Sequence, residues 1–286
     1  MKTKVTLIAW ATLASAGTQA ADWSDTAIGI RYGTQYREPY NPQDISKYIV
    51  NLTHASGYKY GSNFLNVDLL MSDSKDPSNI SSGNGAHEAY VVYRHTLDLG
   101  KVTGSNMSSP GIRGWGLTAG FDWNTKTDAT YNSKKRMFVI GPTMMLDVPG
   151  FLNVSLLLLK ESNQPSGFSF ATNSNFSVDR YSYKTHPALS LAWGIGVGDL
   201  PLSFEGFAMF IASKGKNEFG GDTKPETNID MQLMWDVGAS TGGTKGTFKL
   251  GLEYQYWKNK FGNDAGGAAG SGAFAKTPMI RMEYHF

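Results

Sequence analysis

The stretch TNIDMQLMWDVG sorts its residues onto two faces. Ile229, Met231, Leu233, Trp235 and Val237 fall on one; Asn228, Asp230, Gln232, Met234 and Asp236 fall on the other. A period of two marks a strand with one apolar face. In RGWGLTAGFDWNTK, Trp115, Leu117, Ala119, Phe121 and Trp123 oppose Gly116, Thr118, Gly120, Asp122 and Asn124. In YSYKTHPALSLAWGIGV, Leu189, Leu191, Trp193 and Ile195 oppose Ala188, Ser190, Ala192 and Gly194. About twelve such segments are expected, near 26–36, 46–54, 60–71, 87–98, 113–124, 135–148, 151–160, 181–197, 201–212, 227–238, 246–258 and 277–286. No helix of any length is needed, and no linker divides the chain.

The chain opens with Lys2 and Lys4, the apolar run Val5 to Ala16, and TQA before ADW. That order of charge, apolar run and small residues reads as a secretory signal peptide. Residues 1–20 are the expected leader, with Ala20 at the cleavage site and Thr18 two residues before it; cleavage after Ala21 also fits. The run is too short to span a bilayer. Residues 21–286 are then one exported domain. Cysteine is absent, which excludes a disulfide scaffold, thiol catalysis and cysteine-based zinc sites. A net charge of +2 gives no field that would draw nucleic acid. The 33 glycines and 13% aromatic residues suit many strands and turns.

No later stretch is a spanning helix; the longest aliphatic run is Leu156 to Leu159, between Ser155 and Lys160. The other structure that can cross a bilayer is a closed β-barrel. With the N-terminus in the periplasm, the expected outward loops are REPYNPQD, SDSKDPSNISSGNGA, TKTDATYNSKK, ESNQPSGFSFATNSNFSVDR, SKGKNEFGGDTKPE and KNKFGNDAGGAAGSGAFAK. The inward turns are HASG, DVPGF, GDLP and GASTGGTKG, with GKVTGSNMSSPGI longer than the rule of short periplasmic turns wants. Three features place lipid on the apolar face. The chain has a leader. Trp115 and Trp123 sit near opposite ends of one face, about 20 Å apart along the membrane normal. The other face is rich in small, polar and isolated charged residues, as a wet lumen requires.

RMEYHF is expected to be the closing strand, with Ile280, Met282, Tyr284 and Phe286 facing lipid and Arg281 and Glu283 facing the lumen. Its alternating apolar residues ending in Phe286 resemble the C-terminal signal that barrel assembly machinery reads. The alternative is an edge strand of a secreted sandwich.

The stretches YGSNFLNVDLLMSD, HEAYVVYRHTLDLGK, RGWGLTAGFDWNTK, RMFVIGPTMMLDVPGFLNVSLLLLKESN and GLEYQYWKNKFGN carry a family resemblance. The chain resembles the Tsx/OmpK family of nucleoside-specific channel-forming outer-membrane proteins. The likeness spans most of the mature chain and lies in style and spacing, without a short diagnostic motif. It implies a narrow monomeric barrel of twelve strands whose lumen passes nucleosides and related small solutes, with pockets of aromatic and ionisable residues.

A channel of this kind binds weakly, aromatic faces stacking on a base and polar groups holding hydroxyls. The lumen candidates are Asn66, Asp68, Glu88, Tyr90, Arg94, Asp122, Asn124, Arg136, Lys184, Glu205, Phe207, Asp230, Asp236, Glu253, Arg281 and Glu283, and Glu88, Tyr90 and Arg94 share one face. For any one of them the plainer role is a solvated wall charge or a bracing ion pair. His54 and Ser56, two apart, have the spacing of a barrel lipid hydrolase, but they fall in an expected periplasmic turn, away from outer-leaflet lipid. His87 and His95 are far apart on one strand, and His186 and His285 are isolated, so no metal site is expected. The sequons at Asn51 and Asn153 lie inside strands. The expectation is an outer-membrane, non-enzymatic channel without cofactor, surrounded by lipid and monomeric. Its solute is nucleoside-like; a general porin, a surface receptor or a lipid hydrolase are the alternatives.

Overall fold

The computed structural model describes residues 21–79 and 84–286; the expected leader lies outside them. The barrel strands are β1 Trp23–Glu38, β2 Asn41–Tyr58, β3 Gly61–Ser72, β4 His87–Asp98, β5 Ile112–Lys126, β6 Arg136–Leu146, β7 Gly150–Asn163, β8 His186–Gly196, β9 Leu202–Ile211, β10 Glu226–Asp236, β11 Phe248–Lys258 and β12 Phe274–His285. Each pairs antiparallel with the next, and β12 returns to β1 from Ala27↔His285 to Gly33↔Met279. The ring has no free edge, as strands in lipid require.

Register sends one face of every strand outward. Ile28, Leu52, Leu69, Leu117, Ile140, Leu156, Leu158, Leu233, Leu252 and Ile280 form an exposed apolar belt. Aromatic girdles bound it. At one end stand Trp115, Trp193, Phe204, Trp235, Tyr284 and Phe286. At the other stand Tyr32, Tyr48, Trp123, Phe138, Phe210, Tyr256 and Phe274. Two tryptophans lie over a glycine of the adjacent strand, Trp193 on the outer face and Trp23 on the inner. A Cβ on Gly57 would come 2.0 Å from Trp23 Nε1, and one on Gly206 would come 2.8 Å from Trp193 Cζ2. The missing side chain is what lets the ring lie flat on the wall.

Connections 59–60, 99–111, 147–149, 197–201 and 237–247 close the first end, which we term the turn end. Two single-turn helices there, Leu99–Thr103 and Val237–Thr241, are capped by the Asp98 and Asp236 carboxylates. Connections 39–40, 73–86, 127–135, 164–185, 212–225 and 259–273 close the other, the loop end.

Several expectations shift. REPYNPQD is not an open loop: β1 and β2 run past the membrane belt, pair as far as Glu38↔Asn41, and turn at 39–40. Tyr40, at φ +65°, donates its N–H to Ala269 O at 3.0 Å, so the tip is pinned by the 259–273 loop. HASG is strand, and its turn falls at 59–60. Residue 181 opens only a two-residue bridge onto β7, and β8 proper starts at His186. Arg136 pairs with Trp123 and faces outward, not into the lumen.

Leu252, 67% exposed near the middle of β11, should tolerate charge poorly. Leu252→Arg is expected to cost about 2–4 kcal/mol in reversible urea unfolding from vesicles; a change under about 1 kcal/mol would remove Leu252 from lipid contact.

Candidate functional site: the lumen and its loop-end constriction

The inward face carries what the outer face excludes. Midway along the lumen, Arg31 of β1 reaches Asp68 of β3 at 2.5 Å and Glu253 of β11 at 2.9 Å. Glu253 also holds Arg281 of β12 at 2.9 Å, and Arg281 holds Glu283 at 2.5 Å. Beside them Asp230 accepts from Gln255 at 3.1 Å. Farther round, Tyr90 donates to Asp122 at 2.8 Å, and Arg94 pairs with the same carboxylate at 2.5 Å. Glu205 joins Lys249 at 3.4 Å and Ser203 at 2.5 Å. Buried charges of this kind persist when paired, and all of these but Asp230 have an ion-pair partner.

From β4 to β7 the wall also carries a neutral file of hydroxyls. Thr96, Thr118, Thr143 and Ser155 link hydroxyl to hydroxyl at 2.8, 2.5 and 2.7 Å. On β4 and β5 the hydroxyl ladder lies nearer the turn end than the Arg94–Asp122 pair. Four inward rings are exposed: Trp23 and Phe151 toward the turn end, Phe64 at 40% and Phe207 at 38%.

At the loop end the lumen is constricted. Lys47, Lys126 and Lys260 converge on Glu38 at 2.7, 3.6 and 3.2 Å. Asp76, from the 73–86 loop, pairs with Lys126 at 2.7 Å and Lys47 at 3.5 Å. Glu88 accepts from Asn124 and lies 4.0 Å from Lys47. On the other side Lys214 holds both oxygens of Glu161 at 2.8 Å, with Lys135 at 3.4 Å. Glu218 accepts from Tyr131 and Tyr183. Phe261 joins the two groups: Lys135 Nζ lies 3.8 Å and Lys260 Nζ 5.2 Å from its ring centre. Each long loop thus gives this roof a side chain, and Asp76 and Asn163 are sealed from solvent. Burial opposes ionisation of Asp76, but the Lys47 and Lys126 ammonium groups outweigh it and hold the carboxyl below its usual range. Burial likewise opposes ionisation of Glu218, and the Tyr131 and Tyr183 hydroxyls reverse it. Burial pushes Lys260 down.

The structure puts Asp68, Glu88, Tyr90, Arg94, Asp122, Glu205, Phe207, Asp230, Glu253 and Arg281 on the inward face. It brings Tyr90, Arg94 and Asp122 into one group and Asp68, Glu253, Arg281 and Glu283 into another through Arg31. Glu88 belongs instead to the roof, and Glu205 and Phe207 stand apart. Asn66 accepts from Thr53 at 2.9 Å, Asp236 caps its helical turn, and Lys184 lies exposed in a loop. Arg31, Phe64, Lys47 and Lys126 were missed. Parity alone places Arg31 inside, since Ala27, Gly29 and Gly33 share its face. His54 Nδ1 is engaged by Thr26 Oγ1 at 2.8 Å on the outer face; among the described residues no hydrogen bond joins it to Ser56.

The roof makes a pH-dependent prediction. Depressed carboxyls contribute stability that is full at neutral pH and lost as pH falls through their lowered folded values. Asp76→Asn should therefore act at pH 7 as acid does on the native chain. Hydrogen-exchange protection of the Asp76 and Ala86 amides, which anchor the 73–86 loop, is expected to drop by about 3 kcal/mol, roughly a hundredfold. Unchanged protection would show that the loop is held without this ion pair.

No protein-family model and no curated protein matches the sequence. The fold is similar to a KdgM porin, at 8% identity and a TM-score of 0.41 over 91% of this chain and 99% of that one. It is similar to the translocator domain of autotransporter NalP from Neisseria meningitidis, at 12% identity and a TM-score of 0.45 over 96% and 93%. A third likeness is to OprB of Pseudomonas putida, at 8% and 0.29 over 93% and 94%.

Proposed function

We propose that this barrel is an outer-membrane channel for passive diffusion of small polar solutes, with nucleosides as the preferred class. The observation that carries the reading is the lumen lining: paired charges, a hydroxyl ladder and exposed aromatic rings, Phe64 and Phe207 among them, inside an apolar outer belt. A purely structural core would need none of this polarity. The constricted loop end favours a selective pore over a wide one. Phe64 and Phe207 offer faces for a base, and Asp122, Asp230 and the hydroxyl ladder offer groups for sugar hydroxyls. Such contacts are individually weak, as a channel that must release its solute requires. The nucleoside preference rests on the resemblance to the Tsx/OmpK family. The chain is monomeric in this reading, and Phe286 is the residue through which assembly machinery engages its last strand.

The test is single-channel conductance of the refolded mature chain in a planar bilayer with nucleoside titrated in. A small conductance that falls with nucleoside is expected. Phe207→Ala should weaken that block by about fivefold or more, the value of one base–aromatic stack. A conductance indifferent to nucleoside would remove the solute class and leave a general porin. The lumen belt sets Arg31, Arg94, Lys249 and Arg281 against Asp68, Asp122, Glu205, Glu253 and Glu283. A salt gradient should therefore give a reversal potential favouring cations, and anion preference would contradict the acidic lining.

A further inference from the structure

The charges of the lumen are paired; a second set of cations on the outside is not. Along β6 the outward residues run Ile140, Phe138, Arg136; along the adjacent β7 they run Leu156, Leu158, Lys160. Both files change from apolar to cationic at one height, since Phe138 pairs with Lys160 and Arg136 with Ser162. The Trp123 girdle stands beside Arg136 at that height. Arg180 arches over from the 164–185 loop. It donates to Ser162 Oγ at 3.1 Å, to Lys134 O at 3.2 Å and to Gln164 Oε1 at 3.3 Å. Lys160 Nζ donates to Tyr183 O at 2.8 Å, and Lys134 is exposed beside them.

No carboxylate forms an ion pair with Lys134, Arg136, Lys160 or Arg180 among the described residues, although Asp179 precedes Arg180 in sequence. Among the described residues the Arg136 guanidinium makes no hydrogen bond to the chain. Repulsion from Arg136 even adds to the burial that lowers Arg180, a loop residue. Like charges held together without a counter-charge cost free energy, and a fold has no internal reason to gather them. An external anion supplies the reason, and the location limits which one. The cluster lies on the lipid side of the wall, immediately beyond the apolar belt, where headgroup phosphates of the adjoining leaflet lie. Guanidinium groups suit phosphate because their paired N–H donors match two phosphate oxygens.

We infer that Lys134, Arg136, Lys160 and Arg180 form an outward binding site for a phosphorylated lipid headgroup of the leaflet at the loop end. The lipid's acyl chains lie along Phe138, Ile140, Leu156 and Leu158, and its phosphate meets the cations above them. The inference shares with the proposed function only the membrane-spanning barrel and its outward loop end, and it is independent of what the lumen passes.

The experiment uses the refolded mature chain in zwitterionic nanodiscs, with diphosphorylated lipid A added and retained lipid read by native mass spectrometry. Arg136→Gln removes a side chain with no partner in the fold, so barrel formation is preserved; heat-modifiable gel mobility checks it. Retention should fall about tenfold, the worth of one charge-assisted contact. Lys160→Gln is the second variant and should lower retention in the same direction. Lys258→Gln, at the loop end of β11 and away from the cluster, should leave retention unchanged. Lipid A stripped of phosphate should be retained no better than bulk lipid. Equal retention by Arg136→Gln and native chain, or equal retention of stripped lipid, overturns the site. Displacement of lipid A by inorganic phosphate would assign the cations to a free anion and overturn the lipid as occupant. Nucleoside block in the same preparations is read separately: its loss with retention intact strikes the channel reading alone, and the converse strikes only this site.

Discussion

Water is absent from the middle of a bilayer, so an unpaired N–H or C=O there has no solvent to bond. Almost everything in this fold descends from that fact. The strands close on themselves through β12 and β1, and closure fixes an inside and an outside for every residue. Once the parity of one strand is set, the ladders propagate it round the ring. Apolar side chains such as Leu252 and Ile280 then meet lipid, and Arg31, Glu253 and Arg281 are left to pair with one another and with Asp68 and Glu283. The polar lumen is thus a consequence of the seal as much as a device for transport.

Pairing decides how such a lumen is organised. A single buried charge would cost several kcal/mol, and an opposed charge with good geometry offsets that. Glu253 is the strongest case, completely buried between Arg31 and Arg281. The loop end repeats the solution with residues drawn from loops. Asp76 comes to Lys47 and Lys126, Lys214 comes to Glu161, and the Phe261 ring meets lysines from both groups. The loops are ordered because the wall charges beneath them need partners. A roof held in this way is sensitive to proton and salt in a manner that the ladder-bonded wall is not.

Much of the architecture could be read from alternation alone. Strand number, closure and the inward placement of Asp68, Tyr90, Arg94, Asp122 and Glu253 follow from period two in β3, β4, β5 and β11. What escaped has three physical causes. Beyond the membrane a paired strand need not alternate lipid with lumen, so the polar REPYNPQD reads as loop although it is hairpin. Inside the lumen some residues are apolar: Ile45, Ile49 and Met279 pack around Tyr36, which blurs the parity that would reveal Lys47. And the roof is made by loops with no period at all, so Asp76, Lys214 and Lys260 carry no local signal of where they go.

Arg136 shows how a break in pattern carries information. On β6 it occupies an outward position, and a rule that sends every charge into the lumen misplaces it. The same rule is sound at the middle of the strand, where an outward cation would face hydrocarbon. It fails at the strand's end because the surroundings change there from hydrocarbon to headgroup within about two residues, each worth roughly 3.3 Å along the strand. Parity states which side of the wall a residue is on; depth states which solvent it meets there. Phe138 and Arg136 share a side and differ in depth, and Lys160 on β7 repeats the step beside them. Two neighbouring strands that change from apolar to cationic at one height record where the membrane ends, and that mark is drawn by the lipid itself.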